Sequence, residues 1–187
     1  FTIKQRVKNS SDKAYDFYSY GQIIRNKIPE ISNFYILHEG LIADLDDELI
    51  EEDYDDIQEK KFTKTAQKGW LGIGDKYWIT SLIPPSGKEF KTTFDYKKKF
   101  RANFVSTEPL ELRKNSIIED QMQVIVAAKR VEVIDGYAES LNINKFDLAI
   151  DWGFLYFITK PLFHGIDYFF KLLGNYGLAI IAITFCI

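Results

Sequence analysis

Leu141 to Ile187 reads LNINKFDLAIDWGFLYFITKPLFHGIDYFFKLLGNYGLAIIAITFCI, and the rest of the chain is best understood from it. From Leu172 to Ile187, 16 residues pass without a charge, where a helix needs roughly 20 mostly apolar residues to cross a bilayer core. The run is therefore expected to begin a membrane span, residues 174–187, and the chain to be a fragment of a membrane protein. Just before it, Lys160, His164, Asp167 and Lys171 follow at steps of four, three and four, which places them on one narrow face of a helix. Leu162, Phe163, Ile166, Phe169 and Phe170 take the remaining circumference. Pro161 is tolerated only in a first turn and disfavours a helical Lys160, so a break is expected near Thr159. Ahead of that break, Asp147 and Asp151 share a face among Phe146, Ile150, Trp152, Phe154, Tyr156 and Phe157. With Pro161 and Phe163, these residues are expected to seat an amphipathic segment, 142–173, in a membrane interface. A helix buried against its own sheet is the competing reading. Gly174-Asn175 offers a C-cap and a change of direction.

Outward from this tail the period changes from helix to strand. In KRVEVIDGYAESL, Val131, Ile134, Tyr137 or Ala138, and Leu141 recur at three- and four-residue steps, predicting a short helix over 129–141. The preceding IIEDQMQVIVAA and LELR read as strands. KEFKTTFDYKKKFRANFV sets Phe90, Phe94, Tyr96, Phe100 and Phe104 among lysines, which predicts a strand pair with Phe inside and Lys outside. A stacking platform for single-stranded nucleic acid would write a similar pattern. GWLGIGDKYWITSLIPP predicts a hairpin turning at Gly74-Asp75 and ended by Pro84-Pro85. Asp44 to Glu59 carries ten acidic residues in 16 positions without a glycine, which excludes an EF-hand loop and predicts a solvated acidic hairpin or loop. FYILHEGLIADL suits a strand broken at Gly40. FTIKQRVK alternates as a half-buried strand, and across the turn formers NSSDK it is expected to form a hairpin with YDFYSYGQI. Strands followed by helices make the fold class mainly β, a sandwich over 1–141 closed by a C-terminal helix.

Composition narrows the partners. The net charge of -3 and 24 dispersed basic residues give no footprint for nucleic acid. The single Cys186 lies in the apolar run, so no intrachain disulfide forms. Thr2, Lys4 and Arg6 interrupt any signal peptide at Phe1; either an export signal lies upstream or the domain is cytosolic. His38, His164 and one cysteine assemble no triad or acid/base site, and no Gly-x-Ser-x-Gly string occurs, so an enzyme is not expected.

The strings DWGFLYFITKPLF and GNYGLAIIAITF, preceded by strands and by GWLGIGDKYWITSLIPP, resemble the YidC-type membrane protein insertases in the form with a large periplasmic domain. The resemblance extends over essentially all 187 residues. It implies a partial β-supersandwich in the periplasm, an amphipathic interfacial helix, and the truncated first core transmembrane helix of a bacterial inner-membrane protein. It further implies insertion and folding of nascent membrane proteins within the lipid bilayer, alone or with the Sec translocon, and no cofactor, nucleotide or metal. Thr184 matches the groove-lining threonine of the ITF string, and the family's groove arginine falls beyond Ile187. Val126 to Lys129, VAAK, departs from the Gly-Pro the family commonly places before that lysine, so the following helix is expected to start less sharply. The alternative reading is a periplasmic carbohydrate-binding module with a membrane anchor, using Trp70, Tyr77 or Trp78 as a stacking surface.

Overall fold

The computed structural model describes residues 1–28, 38–153 and 155–186. It divides into two compact units, Phe1–Ile150 and Asp151–Ile187. In chain order the first contains β1 (Thr2–Lys8), β2 (Tyr15–Phe17), β3 (Tyr20–Arg25), β4 (Gly40–Leu45), β5 (Glu48–Asp53), α1 (Tyr54–Glu59), β6 (Phe62–Ala66), β7 (Gly69–Gly74), β8 (Trp78–Ile83), β9 (Phe90–Tyr96), β10 (Phe100–Ser106), β11 (Leu110–Leu112), β12 (Ile117–Ala128), α2 (Val131–Ser140) and a 3-10 turn, Phe146–Ala149. The second contains α3 (Tyr156–Leu173) and α4 (Tyr176–Thr184). The fold class is mainly β, as read from the sequence.

Among the described residues three antiparallel sheets form. A six-stranded sheet runs β1-β12-β8-β7-β4-β5, a four-stranded one β3-β10-β9-β6, and a small one β11-β2. Alternation writes the packing: along β10, Phe100, Ala102, Phe104 and Ser106 are buried and their neighbours are not. Phe100, Ala102 and Phe104, with Phe90 and Phe94, meet Leu41, Ala43, Leu45, Leu71, Ile73 and Leu82 of the larger sheet in one core. The larger sheet is covered on its other face too. There Ile42, Trp70, Ile79, Ile125 and Ala127 pack under Ile134, Ile143, Phe146 and Ala149, supplied by α2 and the segment after it. Burial on both faces explains why β4 and β7 read as GLIADL and GWLGIG, with no wet side.

The β7–β8 and β9–β10 hairpins form as expected, with Leu71 opposite Leu82 and Phe104 opposite Thr92. The platform reading of KEFKTTFDYKKKFRANFV ends there, since Phe90, Phe94, Phe100 and Phe104 are all buried.

The N-terminal hairpin is not found. β1 pairs with β12 from Thr2↔Gln123 to Lys8↔Ile117, β2 with β11, and β3 with β10. The reason lies in Asn9, which is buried and donates through Nδ2 to the carbonyls of Lys13 (2.7 Å) and Arg113 (3.1 Å) while its Oδ1 accepts from Ser11 N. This side-chain turn carries the chain across to β11 instead of folding it back on β1.

Gly40 begins a strand rather than breaking one. A Cβ there would stand 2.4 Å from the Glu52 carbonyl, so glycine is what lets β5 approach. The part of that expected strand over residues 34–37 lies outside the described residues. The acidic segment is a hairpin, as one branch of the reading held, and more than that. Asp46 and Asp47, both at positive φ, make a two-residue turn between β4 and β5, as type I′ turns require, and α1 then buries Tyr54 and Ile57.

Candidate functional site

The Asp46-Asp47 turn fixes where the chain leaves the β domain. Asp46 Oδ1 accepts from the backbone N–H groups of Gln67 (3.0 Å) and Lys68 (3.1 Å), binding the turn to the one before β7. Asp47 then gathers three donors. Lys68 Nζ reaches Oδ2 at 2.5 Å, Asn144 Nδ2 bonds Oδ1, and Lys145 Nζ lies 2.6 Å from the Asp47 carbonyl oxygen. The Lys68 ammonium, aided by Lys145 and Asn144, holds the Asp47 carboxyl below its ordinary range, and Asp47 in turn raises Lys68. Lys145 itself is in the left-handed region, φ 51°, which bends the chain from α2 into the Phe146–Ala149 turn.

That bend separates residues which the sequence reading had grouped. Phe146 is fully buried under the sheet, its ring edge-on to Trp70 at 5.1 Å between centroids, and Ile150 is half-buried on the same cluster. Both belong to the β domain; a helix against its own sheet, the competing reading, describes this part better than an interfacial one. Trp152, Tyr156, Phe157, Pro161 and Phe163 fall in the second unit, and Phe154 lies outside the described residues. Trp152 meets Phe163 edge-on at 5.6 Å, with Lys160 Nζ 5.9 Å from its ring. Tyr156, Phe157 and Phe163 are exposed.

The break near Thr159 does not occur. α3 starts at Tyr156, and Pro161 is its sixth residue. The hydrogen bond that proline forfeits would have gone to the carbonyl of Phe157, the second residue of α3, so a single bond is lost in the first turn. At the other end Gly174, φ 65°, caps α3 with its N–H on Phe170 O at 2.8 Å, and Asn175 caps α4 by accepting from Leu178 N. Phe170 stacks on Tyr176 at 3.9 Å. α3 and α4 close up at Gly165, where a Cβ would stand 2.7 Å from Ile183 Cδ1, and Ala179 is fully buried. Asp167 and Lys171 pair at 2.7 Å, one turn apart. On α4, Leu178, Ile180 and Ile181 are exposed, and Thr184 turns its hydroxyl back on Ile180 O at 2.7 Å. Among the described residues no helix is long and apolar enough to cross a membrane. α2 starts at Val131 with no side-chain cap from Arg130.

The three candidate stacking residues part company. Trp70 is inaccessible, whereas Tyr77 and Trp78 are 65% and 58% exposed on the β7–β8 turn.

Asp44 was not singled out by the sequence, being one acidic residue in a run of ten. It lies opposite Trp70 in the β4–β7 ladder, buried, with Oδ2 lacking any partner among the described residues. Burial pushes its carboxyl above the ordinary range despite the opposing charge of Lys145. The folded protein therefore holds this proton at pH values where the unfolded chain has released it, so stability falls as pH rises through that window. Asp44→Asn is expected to raise the thermal midpoint more at pH 7 than at pH 4; equal changes at both would show that the charge is not penalised.

The fold and its tail define a class: a β domain of packed antiparallel sheets followed in the chain by a short, apolar helical hairpin. Residues 1–164 match the family described as the YidC periplasmic domain. The chain is 74% identical over its whole length to the membrane protein insertase YidC of Pelagibacter ubique (strain HTCC1062), covering 34% of that protein. It is 38% identical to the insertase of Rickettsia prowazekii (strain Madrid E), with 98% of this chain aligned to 34% of that one. For Agrobacterium fabrum (strain C58 / ATCC 33970) the identity is 37%, across 98% of this chain and 32% of that protein. The chain belongs to the YidC family, and it spans about a third of the length of the curated relatives it matches.

Proposed function

We propose that this chain is the periplasmic and membrane-proximal portion of an insertase that places nascent membrane proteins in the bacterial inner membrane and assists their folding. The observation that carries the reading is the apolar character of the second unit. Tyr156, Phe157, Ile158, Leu172, Ile180 and Ile181 all remain exposed, which suits lipid better than water. In this reading residues 1–150 stand in the periplasm. Trp152, Tyr156, Phe157, Pro161 and Phe163 lie at the interface, α4 opens the first core span, and Thr184 lines a polar groove completed by residues beyond this chain. The work is transfer rather than bond making: a polar groove within the bilayer lowers the cost of moving hydrophilic segments past hydrocarbon, where each unpaired polar group costs several kcal/mol. No catalytic residue, metal or nucleotide is assigned. Sec components are the proposed protein partners, docking on the β domain, and crosslinks from its sheet edges would identify them. Cells depleted of the full-length protein should accumulate uninserted small membrane proteins, and normal insertion in them would sink the proposal.

The exposure of Tyr77 and Trp78 keeps a carbohydrate-binding module as the second reading. Glycan binding that is lost on Trp78→Ala would favour it; silence across a glycan panel would remove it.

A further inference from the structure

We infer that one end of the β domain contacts a lipid surface bearing anionic headgroups, through the β7–β8 turn, the β9–β10 turn and the residues that follow β3. The strand register brings these three stretches together. Phe100 pairs with Tyr96 on one side and with Arg25 on the other, so the end of β3 stands beside the β9–β10 turn. Arg25 then crosses to the larger sheet, its Nη1 2.6 Å from Asp75 Oδ2 and 2.5 Å from Oδ1, and fastens the β7–β8 turn at that place. Two backbone bonds hold the turn itself: Asp75 N donates to Trp78 O and Lys129 N to Tyr77 O, both at 2.8 Å. What this end presents is therefore set by the packing of the two sheets.

The surface there is aromatic and basic at once. Ile28, Tyr77, Trp78 and Tyr96 are exposed, and so are Lys27, Lys76, Lys97, Lys98 and Lys99. Among the described residues no carboxylate pairs with any of those five lysines: Asp75 is taken by Arg25 and Asp95 by Arg101. Trp and Tyr settle at the headgroup level of a bilayer, with the ring in the acyl boundary and the polar edge wet, while lysines beside them reach anionic headgroups. One occupant thus suits both kinds of residue. A folded protein fits less well, because protein interfaces favour arginine and are depleted in lysine, and Arg25 and Arg101 are engaged within the domain. A sugar would meet a ring already attended by a cation, since Lys76 Nζ lies 5.3 Å from the Tyr77 centroid, and the carboxylates that could accept from its hydroxyls are held by arginine. Asp53 marks the margin of the contact. Through Gly40, which faces Gly74 on one side and Asp53 on the other, the register sets it at the same end on edge strand β5, where it repels anionic headgroups. The inference rests on the β domain alone and is independent of the insertase reading.

The test uses NMR on the full 187-residue chain in nanodiscs of mixed phosphatidylglycerol and phosphatidylcholine that carry a headgroup spin label. Vesicles of the same lipids are added, so that contact with either bilayer is read. Amide signals of Lys76 to Trp78 and of Lys97 to Lys99 should broaden, while those of the buried Leu71 and Phe104 should not. The broadening should fall at least about fivefold when all lipid is phosphatidylcholine, and as far in Lys97→Glu combined with Lys98→Glu, since one lysine near an anionic surface is worth roughly a factor of five in binding. Tyr77→Ala combined with Trp78→Ala should weaken it at Lys97 to Lys99 as well. Raising the salt from about 0.1 M to 1 M, which shortens the Debye length from about 10 to 3 Å, should lessen it too. Polyglutamate and maltotriose serve as soluble probes. No broadening in either turn, equal broadening in phosphatidylcholine alone, or an unchanged response in the double lysine variant would each overturn the inference. So would shifts of these amides with polyglutamate or maltotriose in place of the lipid response, which would assign the surface to an acidic protein or to a sugar.

Discussion

Phe146→Ala should cost the β domain about 3–5 kcal/mol, the usual range for removing a fully buried phenyl ring. The ring has no exposed surface and stands edge-on to Trp70, an arrangement worth about 0.5–1.5 kcal/mol beyond burial alone. Its neighbours are Ile134 on α2, Ile143, Ala149 and the sheet residues Ile42 and Ile79, so the space it leaves is walled by elements that hold one another in place and cannot collapse far. The loss also removes part of what covers Trp70, the largest side chain of that face. In urea the unfolding midpoint should fall accordingly. Phe157→Ala is the control: in the second unit, 61% exposed, it should move that midpoint by no more than about 0.5 kcal/mol. If the two substitutions cost the same, the 3-10 turn is not part of the β-domain core.

That prediction also shows where reading the sequence stops. The hairpins β7–β8 and β9–β10 were legible because everything they need is local: alternating apolar residues, Gly74-Asp75 at one turn, a lysine-rich turn at the other. The C-cap at Gly174 was legible for the same reason. β1 was not, since its partner β12 lies more than a hundred residues away and nothing in FTIKQRVK distinguishes it from the nearer YDF. The run from Phe146 to Phe157 is apolar throughout, and no local rule says which of its aromatics cover a sheet and which stay outside. A non-local signal was available. GWLGIG and GLIADL have no polar side, so the larger sheet needs a cover on each face, and the segment following the predicted helix was there to supply it. Pro161 misled in another way, since a proline this near the start of a helix forfeits a single bond in the first turn and the helix can absorb that. What the tail is for came from the resemblance of its strings to the YidC-type insertases, not from periodicity.

Gly69→Ala should destabilise by about 4 kcal/mol or more, beyond the range of most single substitutions, and Gly87→Ala measured beside it tells why. Both glycines have positive φ, +133° at Gly69 and +72° at Gly87. At Gly87 a Cβ meets nothing within 4 Å, so alanine pays only the left-handed backbone penalty of about 1–2 kcal/mol. At Gly69 the angle lies outside even the left-handed helical region, and the new Cβ would sit 1.9 Å from the Asp44 carbonyl oxygen and 3.2 Å from Leu45 Cα. Those are backbone atoms of the neighbouring strand, so no side-chain rotation relieves the clash, and β7 must move from β4 at the point where Gly69 pairs with Leu45. The hydrogen bonds next in line are those from Gln67 N and Lys68 N to Asp46 Oδ1, which tie the acidic turn to β7. Amide exchange at Gln67 and Lys68 should therefore accelerate in Gly69→Ala and stay unchanged in Gly87→Ala. Equal losses of stability in the two variants, with both amides still protected, would mean that backbone strain alone sets the cost and that the strands can part at this point without disturbing the Asp46 hydrogen bonds that tie the acidic turn to β7.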